Sequence, residues 1–172
     1  MKKLENIVAA ILIILTATCL SITGCSKNDK KSTITSENLI YEPTSKMSYN
    51  FKDQTELNTL VEVLANEPKK IKILQAKITD YEDSKGAFKA ISAKYTTDEG
   101  ITNLVVPLSQ NLSAKGSASA MYVVQECEMK CTSAWGCQEC TQTIIERCKS
   151  QTCSCTSGNG GCSSKITFPP SQ

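Results

Sequence analysis

Eight of the ten cysteines of this chain are Cys127, Cys131, Cys137, Cys140, Cys148, Cys153, Cys155 and Cys162, all in one short stretch near the C-terminus. Such density puts the segment under the control of sulfur chemistry before any other force. An even number of cysteines favours a disulfide framework of up to four bridges, with the pairing left open among about a hundred connectivities. Each bridge is worth about 2–4 kcal/mol through its restriction of the unfolded chain. The segment needs that support, because Trp135, Ile144, Ile145, Ile166 and Phe168 are the larger apolar groups it can offer to a core. Cys153 and Cys155 stand one residue apart and are expected to bond different partners, since closing so short a loop strains a bridge. The competing chemistry is ligation of zinc or an iron–sulfur cluster by Cys137, Cys140, Cys153 and Cys155. Zinc sites usually bring two C-x2-C halves, and here Cys137-x2-Cys140 stands alone. A redox-active pair at that motif is disfavoured, because Gln138 and Glu139 supply no positive neighbour and Glu139 would raise a thiol pKa. The expectation is no cofactor, with zinc or an iron–sulfur cluster as the alternative.

The first residues fix the expected compartment. Lys2 and Lys3 precede an apolar run from Ile7 to Leu20, and Ile22-Thr23-Gly24-Cys25 follows. A basic start, an apolar core and small residues before a cut site describe a secretory signal. Thr16, Thr18, Ser21 and Thr23 interrupt the run, which falls short of the roughly 20 apolar residues of a membrane span. Residues 22–25 resemble the lipobox of bacterial lipoproteins. That resemblance implies removal of residues 1–24 and lipidation of Cys25, with a diacylglyceryl group and often a third, palmitate-like chain. Two or more acyl chains hold a protein firmly on a membrane. The implied location is the cell envelope, on the outer membrane, its periplasmic face or the cell surface, where disulfides persist.

Between these ends the sequence suggests three further parts. Residues 25–50 are polar and read as a lipidated tether. Residues 51–126 read as a small α+β unit. Asp53 and Glu56 open a helix in the manner of a capping box, Leu57, Leu60, Val61 and Leu64 share one of its faces, and Pro68 follows its end. Strand-like runs span Ile71–Tyr81, Ala87–Thr96 and Thr102–Leu108, joined by turns at residues 83–86 and 97–100. A polar loop covers residues 109–119, and Met121–Cys127 reads as a strand leading into the cysteines. Residues 127–172 form the cysteine-rich module. The expected fold class is α+β: one helix with a small antiparallel sheet, then a small, disulfide-rich, loop-dominated module.

What the chain lacks narrows its function. With no histidine, Cys–His and Ser–His nucleophile pairs and haem attachment through C-x-x-C-H are absent. Ser92 with Lys94, and Ser163 with Lys165, read as solvated surface rather than as dyads. There is no phosphate-binding glycine loop, and a net charge of +2 with dispersed basic residues offers no nucleic-acid face. The spacing at 127 and 131, 137 and 140, and 153 and 155 resembles cysteine-rich modules of exported bacterial proteins, especially from Bacteroidota. That resemblance implies no activity and no catalytic residue. The expectation is a membrane-anchored envelope lipoprotein with a binding or structural role, its partner an envelope protein or ligand. A metal-binding or redox envelope protein is the alternative.

Overall fold

A strand with apolar side chains on both faces needs a cover on each. The stretch Gly86–Thr96 is such a strand: Ile91, Ala93 and Tyr95 are buried on one side, Phe88 and Ala90 on the other. The computed structural model, which describes residues 36–111, 121–125 and 127–168, supplies both covers. After a short 3-10 turn at Ser36–Asn38 the elements are β1 (Leu39–Glu42), β2 (Met47–Asn50), α1 (Gln54–Ala65), β3 (Lys72–Asp83), β4 (Gly86–Thr96) and β5 (Ile101–Gln110). They continue with β6 (Tyr122–Val124), β7 (Glu128–Ser133), β8 (Cys137–Glu146), β9 (Ser150–Gly158) and β10 (Cys162–Thr167). All the described residues belong to one compact unit. Among them no helix is long and apolar enough to cross a membrane.

Eight strands make one sheet, and β8 with β9 makes a separate two-stranded ribbon. The hub is β5. One edge of β5 pairs with β4, which pairs with β3; the other edge pairs with β7 over Thr102–Val105 and with β6 over Leu108–Gln110. β10 lies outside β7, while β1 and then β2 lie outside β6, with β1 parallel to β6. Between these pairings the partner chain slips by two residues, since Val105 faces Met129 but Leu108 faces Val124. The slip falls at Pro107, which has no amide hydrogen to give the ladder. Its carbonyl accepts the Gln125 N–H at 2.9 Å.

Helix α1 covers one face of the sheet. Asp53 caps it by accepting from the Thr55 and Glu56 N–H groups at 2.8 and 3.2 Å. The Glu56 carboxylate reaches back to the Asn50 N–H at 2.7 Å. The helix ends at Asn66, in the left-handed region at φ 46° and ψ 41°. Its stripe of Leu57, Leu60, Val61 and Leu64 joins Ile91, Ala93, Tyr95, Leu104, Val106 and Leu108 in the larger core. On the other face Phe88, Ala90, Val105, Cys127 and Met129 meet Ile144 of the ribbon. The order of layers is helix, sheet, ribbon.

Among the described residues the chain is therefore mostly β, with 61% strand and 11% helix, and the expected α+β arrangement of one helix with a small sheet is corrected. Two segments carry the difference. Residues 39–50, placed by their polarity in a tether, form β1 and β2, because Ile40 and Tyr49 are buried in the larger core. The cysteine-rich segment, expected to be loop-dominated, is built of four strands, and two of them, β7 and β10, are strands of the main sheet. Its inward positions are held by sulfur and its outward ones by short Ser and Thr side chains, so the period-two pattern carries little hydrophobic contrast. The signal segment 1–24, Cys25, the tether up to residue 35 and loop residues 112–120 lie outside the described residues.

Candidate functional site

The cysteines face inward because strands alternate. Cys127, Met129 and Cys131 are buried together, and Cys140 and Ile144 are buried on β8 while Thr141, Thr143 and Ile145 are exposed. In β9, Cys153 and Cys155 share one side of the strand. Four disulfides follow: Cys127–Cys148, Cys131–Cys153, Cys137–Cys155 and Cys140–Cys162, with Cα separations of 5.5 to 6.1 Å. These separations are ordinary for the bond. Cys153 and Cys155 take different partners, as their spacing requires.

The placement of the bridges matters more than their number. Cys127, at the entrance to β7, holds the turn of the ribbon at Cys148, and Cys131 within β7 holds β9. Cys140 ties β8 to the start of β10, and only Cys137–Cys155 lies within the ribbon. Three of the four bridges therefore fasten the ribbon to the sheet. Polar contacts run alongside them. Asn103 Nδ2 donates to the Cys140 carbonyl at 2.7 Å, Gln142 Nε2 to the Met129 carbonyl at 2.9 Å and Gln151 Nε2 to the Lys130 carbonyl at 2.8 Å. Lys94 pairs with Glu139 across the same gap.

Six of the eight cysteines form one sulfur cluster, Cys131, Cys137, Cys140, Cys153, Cys155 and Cys162. Cys137 Sγ lies 3.8 Å from Cys140 Sγ and 3.7 Å from Cys162 Sγ, so two bridges are in contact. Cys131, Cys140 and Cys162, and likewise Cys137, Cys155 and Cys162, bring their sulfurs within 4.8 Å of one another. Those groupings differ from the set of Cys137, Cys140, Cys153 and Cys155 read from spacing. Metal ligation needs thiolates, and a bridged sulfur is not one.

At the turn of the ribbon, the Arg147 guanidinium forks onto Asp83 at 3.0 and 3.1 Å, and its backbone N–H donates to the same carboxylate at 2.8 Å. This hydrogen bonding holds the Asp83 carboxyl down to about 2. Arg147 also lies 4.5 Å over the Phe88 ring, which stacks on Tyr81. On the helix side of β7, Lys130 Nζ donates to the Ala65 carbonyl at 2.5 Å and pairs with Glu67 at 3.2 Å and Glu128 at 3.6 Å. A cation at the last carbonyls of α1 complements the helix dipole. Burial pushes the Glu128 carboxyl up. Beside this group lies a cavity of about 650 Å³ that Glu42, Glu67, Glu128, Lys130 and Lys165 help to line. No local sequence pattern marks Lys130 or Arg147, because Glu67 and Asp83, which they engage, stand more than 60 residues away.

The opposite end of the ribbon carries Trp135. Its apolar bulk, like that of Ile145 and Phe168, suggests a core position, yet it is 94% exposed and the other two are also exposed. Its loop is nonetheless fixed. The Ala134 N–H donates to the Gly161 carbonyl at 2.9 Å and the Cys137 N–H to the Ala134 carbonyl at 3.0 Å. A Cβ on Gly160 would overlap Trp135 O and Cys137 N, so only glycine lets the two loops meet. Of the residues considered as dyads, Ser92 meets the Tyr81 hydroxyl at 3.3 Å while Lys94 is engaged by Glu139. Comparison with protein-family models, with curated proteins and with solved structures finds no match to this chain.

Proposed function

We propose that this chain is a lipid-anchored protein of the bacterial cell envelope, held through Cys25 and acting there as a binding or structural component. The observation that carries the reading is the engagement of all eight downstream cysteines in disulfides. Such a framework belongs to an oxidising compartment, and the chain that bears it begins with a segment resembling a lipoprotein signal. The chain enters at the Gln110 end of β5, where β1 pairs with β6, and Trp135 stands beyond the Ile101 end. At roughly 3.4 Å per strand residue these ends are about 30 Å apart.

The test is Cys25→Ser in cells, followed by membrane fractionation and mass measurement. The variant is expected to lose the lipid mass and either leave the membrane fraction or retain its signal. A variant that matures, carries lipid and fractionates as wild type would defeat the reading.

A further inference from the structure

We infer that the tip formed by the β7–β8 and β9–β10 loops binds an uncharged glycan, with Trp135 as the stacking platform. This deepens the binding role proposed above and rests on it. Three observations converge. Trp135 is the only tryptophan of the chain and is 94% exposed, although exposure of so large an apolar surface is unfavourable unless something covers it. Its backbone is held by the glycine contacts and hydrogen bonds described above, between the Cys137–Cys155 and Cys140–Cys162 bridges. A ligand therefore meets a loop whose backbone is already ordered, and only the torsions of the indole remain to be fixed on binding. Finally, the two loops themselves are polar, and the charged groups at this end, Glu139 with its partner Lys94 and Asp98 and Glu99 of the β4–β5 turn, lie outside them. No Asp, Glu, Lys or Arg occurs in residues 131–138 or 150–164. Gln138, Ser157 and Asn159 are exposed there with their amide and hydroxyl groups.

This chemistry selects among occupants. A stable protein interface needs about 800 Å² from each partner, with several apolar or Arg anchors at its centre. A tryptophan side chain provides at most about 250 Å², and the other exposed large hydrophobic groups among the described residues, Met47, Val63, Leu74, Ile145 and Phe168, lie outside the tip. An anionic bilayer or a nucleic acid calls for cations that both loops lack. A pyranose ring has one face of C–H groups and a rim of hydroxyls. It therefore presents the complement of one aromatic ring bordered by amides and hydroxyls.

The experiment uses the full chain, oxidised and held in a sugar-free detergent. Its one tryptophan makes fluorescence a direct readout of the tip. Tetramers of β-1,4-linked glucose, N-acetylglucosamine, xylose and mannose serve as probes, with a tetragalacturonate as the anionic comparator. At least one neutral tetramer is expected to shift the emission to the blue and saturate, while the anionic one leaves it unchanged. Calorimetry with that tetramer is expected to show at least about a tenfold weaker affinity for Trp135→Ala, as loss of a central aromatic contact requires, and partial retention for Trp135→Tyr. Because Trp135 is exposed, the melting temperature of Trp135→Ala is expected to match wild type, which separates lost binding from lost folding. The proposal is overturned if no neutral tetramer binds, or if Trp135→Ala binds like wild type. It is equally overturned if the blue shift follows protein concentration alone or neutral phosphatidylcholine vesicles. None of these results bears on lipidation at Cys25, which the fractionation experiment decides separately.

Discussion

Removing the Cys127–Cys148 bridge by the paired change Cys127→Ala and Cys148→Ala measures what one fastening between ribbon and sheet contributes. Taken alone, a bridge with sequence separation 21 restricts the unfolded chain by about 3.3 kcal/mol in the chain-entropy account. The unfolded chain is not otherwise free, because Cys131–Cys153 remains closed. Through that bridge the path from residue 127 to 148 covers only four residues to Cys131 and five back from Cys153. A loop of roughly that size lowers the term to about 2.6 kcal/mol. Cys127 is also fully buried beside Val105, Met129 and Ile144, and trimming its sulfur adds up to about 1 kcal/mol. The native turn keeps its place, since Arg147 still forks onto Asp83. We expect a loss of about 3 kcal/mol, near 10 °C in melting temperature. Urea titration followed by far-UV circular dichroism is the assay, because an exposed Trp135 changes environment too little on unfolding. A loss below about 1 kcal/mol would refute the assignment of this bridge as a fastening between layers. Opening all four bridges should forfeit about 10 kcal/mol, comparable to the whole stability of an ordinary domain, so reductant alone is expected to unfold the ribbon.

Two further expectations follow from the ion pairs. Lys130→Met strands Glu67 and Glu128 beside the end of α1 and should cost about 3 kcal/mol in urea titration, the low end for a buried pair because both carboxylates keep some solvent access. Adding Glu67→Gln and Glu128→Gln should recover part of that loss, and a neutral Lys130→Met would show that the group is not a lock. Asp83, held down to about 2 in the folded state, stabilises fully above its unfolded value near 4 and loses that contribution as pH falls through about 2. Asp83→Asn should therefore flatten the decline of the urea midpoint between pH 4 and pH 2. Parallel declines for variant and wild type would remove Asp83 as the cause.

Local signals in the sequence are faithful where one segment determines its own shape. The stripe from Leu57 to Leu64, the Asp53 cap and the turns before Gly86 and Ile101 need only nearby residues, and the structure has them all. The sulfur chemistry is legible for the same reason, since eight cysteines in one short stretch have few other uses. What the sequence hides are decisions made between distant segments. Ile40 and Tyr49 sit in a polar stretch, and only the parallel pairing of β1 with β6 shows why they are apolar. Lys130 looks like a surface lysine until β7 is placed inside the sheet, opposite the end of a helix 65 residues earlier. Trp135 looks like core because tryptophan usually is.

The second face of the sheet explains why the ribbon is rich in sulfur. Phe88, Ala90, Val105 and Met129 need a cover, yet the ribbon brings Ile144 as its one buried aliphatic side chain, with Gln142 and Cys140 flanking it. Apolar contact alone is too thin to hold such a layer. Cysteine, small and apolar, fills the inward positions, and its bonds to β7 and β10 fix the layer covalently. The bridges therefore replace the aliphatic contacts that a larger cover would make. They also account for the geometry of the tip. A ribbon held by hydrophobic contact would need apolar groups along its length, whereas one held by sulfur can be hydroxyl-rich up to its end. Trp135 then stands on a loop that carries no charge of its own and whose backbone is held by the same bonds that close the sheet.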